Sequence, residues 1–299
     1  MRGFIANADP GWVDRLRNRA PADEEIAFWR AGTEGFRALD SGEPFFFKMK
    51  APREGIAGLG SFAHFSVLPV SLLWEIYGPA CGEPSFSELR ERLLQARARV
   101  GFPVSPEADF DVGAILLLGP IYFPDDRLIE VPDDFGPRVG QGKTYDLAQK
   151  EGARVWIAAL ERIRREQGSE LVADGWTSRG LQRLGPRSFR VAVLDAWDRV
   201  CAVSGETALP ALDATQIRQA AEGGDYSISN GLLLRSDIRR LFDAGHVTVS
   251  PDYRFLVSGR LREGAYGALH GVSIRLPKNS SDRPAVESLW WHSRERFLV

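Results

Sequence analysis

Apolar positions along the first half of the chain recur at both helical and strand periods, the pattern of a mixed α/β unit built around short strands. Within residues 10–19, Trp12, Val13 and Leu16 fall at helical spacing after a strand start at Ile5 and Ala6. Residues 24–29 read as a further short helix. Gly42, Glu43 and Pro44 punctuate the chain before Phe45-Phe46-Phe47-Lys48-Met49-Lys50, an aromatic-rich run with strand character. Residues 56–65 alternate and carry Gly58 and Gly60, and glycine inside a strand points to a bulge or to close approach by another backbone. Residues 69–77 predict a helix ended by Gly78, and Ser85 or Ser87 caps a longer one running through Arg99. Residues 112–118 and 121–123 predict two strands separated by Gly119-Pro120, with a loop over 132–142.

A second regime begins near Tyr145. Residues 148–166 form an arginine-rich helical pattern, 168–176 break it, and 188–199 resume it. Segments 209–217 and 232–241 follow, then a hairpin of 247–250 and 253–257 joined by Pro251-Asp252. There is no internal repeat. The expected division is a first domain over 1–150, a helical connector over 151–185 and a second domain over 186–299, of α+β class.

Composition narrows the field. The 299 residues are 44% hydrophobic and 26% charged, which suits a globular chain with room for two domains. A formal net charge of -2 excludes a uniformly basic coat, so nucleic-acid binding would need a local basic face. No apolar run approaches the roughly 20 residues of a membrane span. The N-terminal stretch lacks an apolar core, so no secretory signal is expected. Cys81 and Cys201 lie far apart, arguing against a disulfide framework or a zinc ribbon, and the expected compartment is a reducing cytoplasm.

The informative stretch reads Cys201-Ala-Val-Ser-Gly205, then Leu212-Asp213-Ala214-Thr215-Gln216-Ile217, then Asn230-Gly231-Leu232-Leu233-Leu234-Arg235, then Asp237-Ile238-Arg239-Arg240-Leu241-Phe242-Asp243. It resembles the HNH endonuclease family, in the branch patterned CAVTG, LEAAHI, NGLLL and DIHxLFD. Ser188-Phe189-Arg190 upstream, with Ala268-Leu269-His270-Gly271, Ile274-Arg275-Leu276-Pro277 and Trp291-His292 downstream, extend the likeness. The resemblance implies a ββα-metal fold gripping one divalent cation, Mg²⁺ or Mn²⁺, against a scissile phosphate. A strand-end histidine would deprotonate water, and a helix histidine with a residue beside the base would hold the metal. The asparagine would position the loop that orients the base.

Here the chemistry departs from that pattern. Gln216 stands at the general-base position and Arg239 at the helix-histidine position. An amide has no useful basicity, and a guanidinium has no lone pair for a metal. Asn230, Asp237 and Asp243 remain, with Asp213 and Thr215 the residual metal candidates. The expectation is a retained fold with hydrolysis lost and no cofactor; Mg²⁺ or Mn²⁺ enters only if the site is active, with His246 or a partner chain supplying a base. Arg239 has two readings, neutralisation of a DNA phosphate together with Arg218, Arg235 and Arg240, or a solvated helix face. His246, His270 and His292 need no chemical role, and Cys201 packs as a small apolar residue.

In the first half, Phe28-Trp29, residues 44–50 and 56–62, Leu68-Pro69, 74–78, 111–113, 122–124 and 142–146 resemble the PUA-like domains of EVE, ASCH and SRA type. Such domains precede HNH modules in modification-dependent restriction enzymes. The resemblance implies a β-barrel with helices that reads modified cytosine in double-stranded DNA by base flipping. Extruding a base costs a few kcal/mol, which aromatic stacking and edge hydrogen bonds return. Candidates are Trp29, Phe47, Phe62, His64, Phe65 and Trp74, each equally at home in a core. In an alternating strand His64 shares the face of Phe62 and is costly to bury without a partner. Lys48, Lys50 and Arg53 would meet phosphates, or form a solvated loop. Three readings stand: a DNA-binding protein with an inactive HNH domain, an active metal-dependent nuclease for modified DNA, and a protein-interaction or dimerisation module. A homodimer fits the resemblance, and no membrane partner is expected.

Overall fold

In a computed structural model the described residues are 1–19, 24–101, 103–167 and 184–299. They divide into two units, Met1–Gly185 and Pro186–Val299. The helix break expected over 168–176 lies outside the described residues.

The first unit is organised by β3 (Pro44–Met49), whose six residues are all buried. It lies inside a six-stranded sheet with β1 (Arg2–Ala8), β2 (Glu25–Arg30), β4 (Gly55–Pro69), β5 (Asp111–Tyr122) and β6 (Gly142–Asp146), in the order β2-β5-β4-β3-β1-β6. β1 runs parallel to β3, and the other pairings are antiparallel. Gly58 is required by close approach, since a Cβ there would lie 2.2 Å from the Ile121 carbonyl oxygen. Helices α1 (Pro10–Arg17, capped by Asp9), α2 (Val70–Tyr77) and α3 (Phe86–Arg99, capped by Ser85) join the strands.

Four expectations are corrected. Residues 24–29 are not helix: β2 is short, and its side chains are fixed by pairing along β5 from Glu25–Leu118 to Arg30–Gly113. Residues 112–123 hold one strand rather than two. Gly119 takes a φ of +52°, its N–H bonds the Glu24 carbonyl at 2.8 Å, and Pro120 falls beyond the end of β2, where no donor is needed. The barrel is an open mixed sheet, because no pairing joins edge strands β2 and β6 among the described residues. Residues 151–167 lie within α4 (Lys150–Gln167), whose Val155, Trp156, Ala159 and Ile163 are buried with Ile5, Phe46, Ile56 and Leu59. That helix is therefore part of the first unit's core rather than a connector.

The second unit begins with α5 (Pro186–Ala196), which supplies buried Phe189, Val191, Val193 and Leu194. β7 (Leu212–Gln216) and β8 (Gly231–Arg235) pair antiparallel, with Leu232, Leu233 and Leu234 fully buried, and α6 (Ser236–Asp243) follows directly. β9 (Val247–Val249), β10 (Phe255–Val257) and α7 (Val286–Glu295) complete it. No helix among the described residues is long and apolar enough to cross a membrane.

His292 on α7 is a structural histidine. It is 3% exposed and stacks on Phe242 with ring centroids 3.7 Å apart. Nε2 faces the Phe242 carbonyl oxygen at 3.3 Å and must donate there, so Nδ1 accepts from the Thr248 hydroxyl at 2.8 Å. Burial pulls its pKa down to about 4, with the Phe242 contact opposing and Arg296 assisting. The unfolded chain takes up this proton near pH 6.5, before the folded one does, so the stability it contributes is present above that pH and lost towards pH 4. The linkage is on the order of 3 kcal/mol. Thermal melts from pH 7 to 4 should therefore show the second unit weakening, and His292→Gln should flatten that slope whatever it does to the melting temperature at pH 7; an unchanged slope would sink the assignment.

Candidate functional sites

β7, β8 and α6 give the second unit the ββα arrangement that its sequence implied. The loop between the strands is clamped by Asn230, which is 3% exposed. Its Oδ1 accepts from the Arg218 N–H at 3.0 Å, and its Nδ2 donates to the carbonyl oxygens of Arg218 and Asp225, both at 2.8 Å. Gln216 Nε2 donates to that same Asp225 oxygen at 2.8 Å. Gln216 thus serves as a second loop clamp.

Beside it opens a cleft of about 410 Å³, lined in part by Thr215, Gln216, Gln219, Tyr226, Arg239 and Asp243. Arg239 sits between two carboxylates, with Nη1 3.7 Å from Asp213 and Nε 3.2 Å from Asp243. Thr215 donates to the other oxygen of Asp243 at 3.0 Å. The acidic groups that would face a metal therefore face a guanidinium. Among the described residues no group of three or more His, Cys, Asp or Glu converges as a metal site. As placed, these side chains do not fit a divalent cation, since the Arg239 charge stands where the metal charge would act and would repel it. Two carboxylates against one guanidinium also leave the cluster formally anionic, which disfavours Arg239 as a phosphate ligand.

The other arginines of this unit are differently placed. Arg235 makes a forked pair with Asp237 at 2.7 and 2.8 Å, and Tyr266 donates to the same carboxylate at 2.8 Å. The Arg235 fork holds the Asp237 carboxyl well below the usual range despite partial burial. Arg218 lies over the Trp291 ring at 5.2 Å and donates to the Glu222 carbonyl oxygen at 2.6 Å. Arg240 is exposed. His246 does not line the cleft. Cys201 is buried, and its sulfur accepts backbone N–H groups of Ser204 and Arg235.

The first unit holds a separate cavity of about 320 Å³, with Phe4, Trp12, Phe28, Trp29, Phe36 and Arg30 among its walls. Two indoles are fixed by one acceptor: Trp12 Nε1 and Trp29 Nε1 both donate to the Cys81 carbonyl oxygen, at 2.8 and 3.1 Å. Gly82 adopts a φ of +77°, and a Cβ there would lie 2.1 Å from the Trp12 ring. Phe4 and Phe36 meet edge-on at 5.1 Å. The loop at 139–141 forms part of the rim, held by Asn7, whose Nδ2 donates to the carbonyl oxygens of Val139 and Gly140 at 2.8 and 3.1 Å.

Of the aromatic candidates, Trp29 alone lines this cavity. Phe47 is fully buried behind it, 5.4 Å from the Trp12 ring, and Phe62 is packed on Phe36. A bulge between Phe62 and His64 interrupts the alternation used to place His64, and neither His64 nor Phe65 lines the cavity. Trp74 faces Phe86 on α3. Among the cations, Lys48 is buried and paired with Glu54 at 2.9 Å, and Arg53 is paired with Asp14 and Asp125 at 2.5 and 3.1 Å. Lys50 is exposed at the cavity wall. Sequence reasoning missed Phe4, Phe36 and Arg30; Phe36 stands in an irregular segment with no periodic signal, whereas Phe28 and Arg30 flank the Trp29 that was found.

Residues 201–250 match the HNH endonuclease family model. No curated protein matches the chain. Among solved structures, the ASCH protein from Zymomonas mobilis is similar at 15% identity over 52% of this chain and 94% of that one, with a TM-score of 0.34. The modification-dependent restriction endonuclease TagI is similar at 12% identity over 96% of this chain and 79% of its own, with a TM-score of 0.30. For the type IV phosphorothioation-dependent restriction endonuclease ScoMcrA the values are 14% identity, 80% and 46% coverage, and a TM-score of 0.20.

The charge arrangement at Arg239 has a direct test. Replacing it as Arg239→Met leaves Asp213, Asp243 and the Thr215 hydroxyl without their internal cation. Calorimetric titration with Mn²⁺ should show saturable binding to this variant and none to the parent protein. A folded variant that takes up no Mn²⁺ would mean that Arg239 is not what keeps the metal out.

Proposed function

We propose that this chain, with its HNH-family segment at 201–250, is a DNA-binding protein of the modification-dependent restriction type. Its first unit takes up a modified cytosine flipped from the duplex, and its HNH-like unit contributes no hydrolysis. The observation that carries the reading is the aromatic cavity around Trp29. A flipped base needs flat, apolar walls that stack on its ring and a few polar atoms to meet its edge. Trp29, Phe28, Phe4 and Phe36 supply the walls, and the cavity also presents Asn7, Arg30, Lys50 and Gln141. Its indoles are set before any ligand arrives, so little ordering of the wall is needed on binding.

Loss of hydrolysis is supported by the second unit. Gln216 offers an amide already spent on Asp225, and Arg239 replaces a metal-binding imidazole with a fixed positive charge. Lys50 and Arg240 remain as exposed cations for backbone phosphates.

Fluorescence-anisotropy titration in EDTA at moderate salt, with duplexes carrying cytosine, 5-methylcytosine or 5-hydroxymethylcytosine, tests the first part. A modified duplex should bind more tightly, and Trp29→Ala should lose about tenfold of that affinity. Equal, weak, salt-sensitive binding to all three would overturn the reading in favour of an interaction module. For the second part, modified plasmid incubated with Mg²⁺ or Mn²⁺ should stay intact, while Gln216→His with Arg239→His should nick it. Cleavage by the parent protein would overturn the loss of hydrolysis.

A further inference from the structure

Arg30 ends β2 against the wall of the aromatic cavity. Its side chain is only 15% exposed, and its buried Nε has no hydrogen-bond acceptor among the described residues. The carboxylate nearest to it, Glu34, is 3.8 Å from Nη2 and itself 71% exposed. Burial lowers the guanidinium pKa, with Glu34 opposing, as expected for a cation short of counter-charge. The neighbouring donors are satisfied: both indoles bond to Cys81, and the Asn7 amide bonds to the 139–140 carbonyls. Asp9, also on the wall, is committed to the Trp12 N–H and to Arg92, each at 3.1 Å. A buried charged donor left without an acceptor costs stability, so its presence at a cavity wall calls for an explanation.

We propose that Arg30 is the polar reader of this cavity, and that the base it reads is of the cytosine class. This rests on the base-reading function proposed above. A guanidinium presents adjacent parallel donors, which pair best with two adjacent acceptors. On the Watson–Crick edge of cytosine, O2 and N3 are neighbouring acceptors. Thymine places an N3–H between its carbonyls, so one donor of the fork would meet another donor. Adenine offers a single ring acceptor on that edge beside its amino group, and guanine presents N1–H and N2–H. A substituent at C5 lies away from this edge, so the same fork serves 5-methyl and 5-hydroxymethyl cytosine alike. Arg30 selects the base, and the aromatic walls contact the modification.

The test compares a 5-methylcytosine·guanine duplex with a thymine·guanine duplex. Both bases carry the 5-methyl group, and the mismatch is the easier to flip, so flipping cost alone favours thymine. The full chain should nonetheless prefer 5-methylcytosine by at least about tenfold. Arg30→Met should abolish that preference while leaving the melting temperature of the free protein unchanged or higher, since it removes an unsatisfied buried charge. Arg30→Gln, whose amide presents one donor and one acceptor, should shift the preference to thymine. Retained discrimination in Arg30→Met, or a melting temperature several degrees lower, overturns the role of Arg30 while leaving base reading intact. A parent protein that binds both duplexes and an unmodified one alike overturns base reading, and this inference with it.

Discussion

The Cys81 carbonyl oxygen has two lone pairs, and both are used by tryptophans that come from different parts of the chain. Trp12 reaches it from α1 and Trp29 from β2. An indole N–H buried beside apolar rings must find an acceptor, and this arrangement satisfies two of them with one backbone group. The carbonyl is itself fixed by the short turn over 78–83, where Gly82 leaves no room for a side chain against Trp12. Glu83 then anchors the turn. It is 2% exposed and paired with Arg15 of α1 at 2.9 Å and Arg92 of α3 at 3.2 Å. Burial pushes its pKa up and the two arginines pull against that. One turn thus fixes α1, α3 and β2 to each other, and the cavity is the space that remains between them.

The second unit separates what makes an HNH-like fold from what makes its chemistry. Asn230 bonds only to backbone atoms, so its role survives any change at the reacting centre. The Leu232–Leu234 run fills the core under α6 in the same way. Gln216 and Arg239, in contrast, are each engaged in an internal contact through their side chains. Gln216 ties down the Asp225 carbonyl, and Arg239 offsets two carboxylates that would otherwise repel each other across the strand–helix junction. Partly exposed pairs of this kind contribute only modestly to stability, about 1 kcal/mol or less each.

Much of this was legible in the sequence, and the failures share a cause. The motif spacing from Leu212 to Asp243 placed β7, β8 and α6 correctly because local pattern and tertiary role agree there. Ser85 announced α3 through its hydroxyl, and Gly58 announced the approach of another backbone. Residues 24–29 misled because six residues with a charged start carry too little periodicity to separate helix from strand. Gly119-Pro120 looked like a terminus because nothing local shows that β2 has already ended beside it. The surroundings of the cations were hidden for a similar reason. Arg53 looks free until Asp14 and Asp125, both distant in sequence, are placed against it. Phe47 and Trp29 are both aromatic residues in strands, and only the packing of the whole unit, with Trp12 against Phe47, shows that one is sealed and the other lines the cavity.

The place of β1 in the sheet has a consequence for the order of assembly. One edge of β1 pairs with β3, but the other waits for β6, so Arg2–Ala6 is matched to partners at Gly142–Asp146. During synthesis β1 therefore emerges before the other five strands of its sheet, and it is the last interior strand to be closed on both sides. Until Gly142–Asp146 has emerged, one side of β1 remains an open row of backbone donors and acceptors beside buried Ile5 and Ala6. Such long-range closure is slow compared with helix and hairpin formation. The nascent first unit is then most exposed to strand exchange between neighbouring chains just before β6 appears, and α4, next in sequence, seals the same core immediately afterwards.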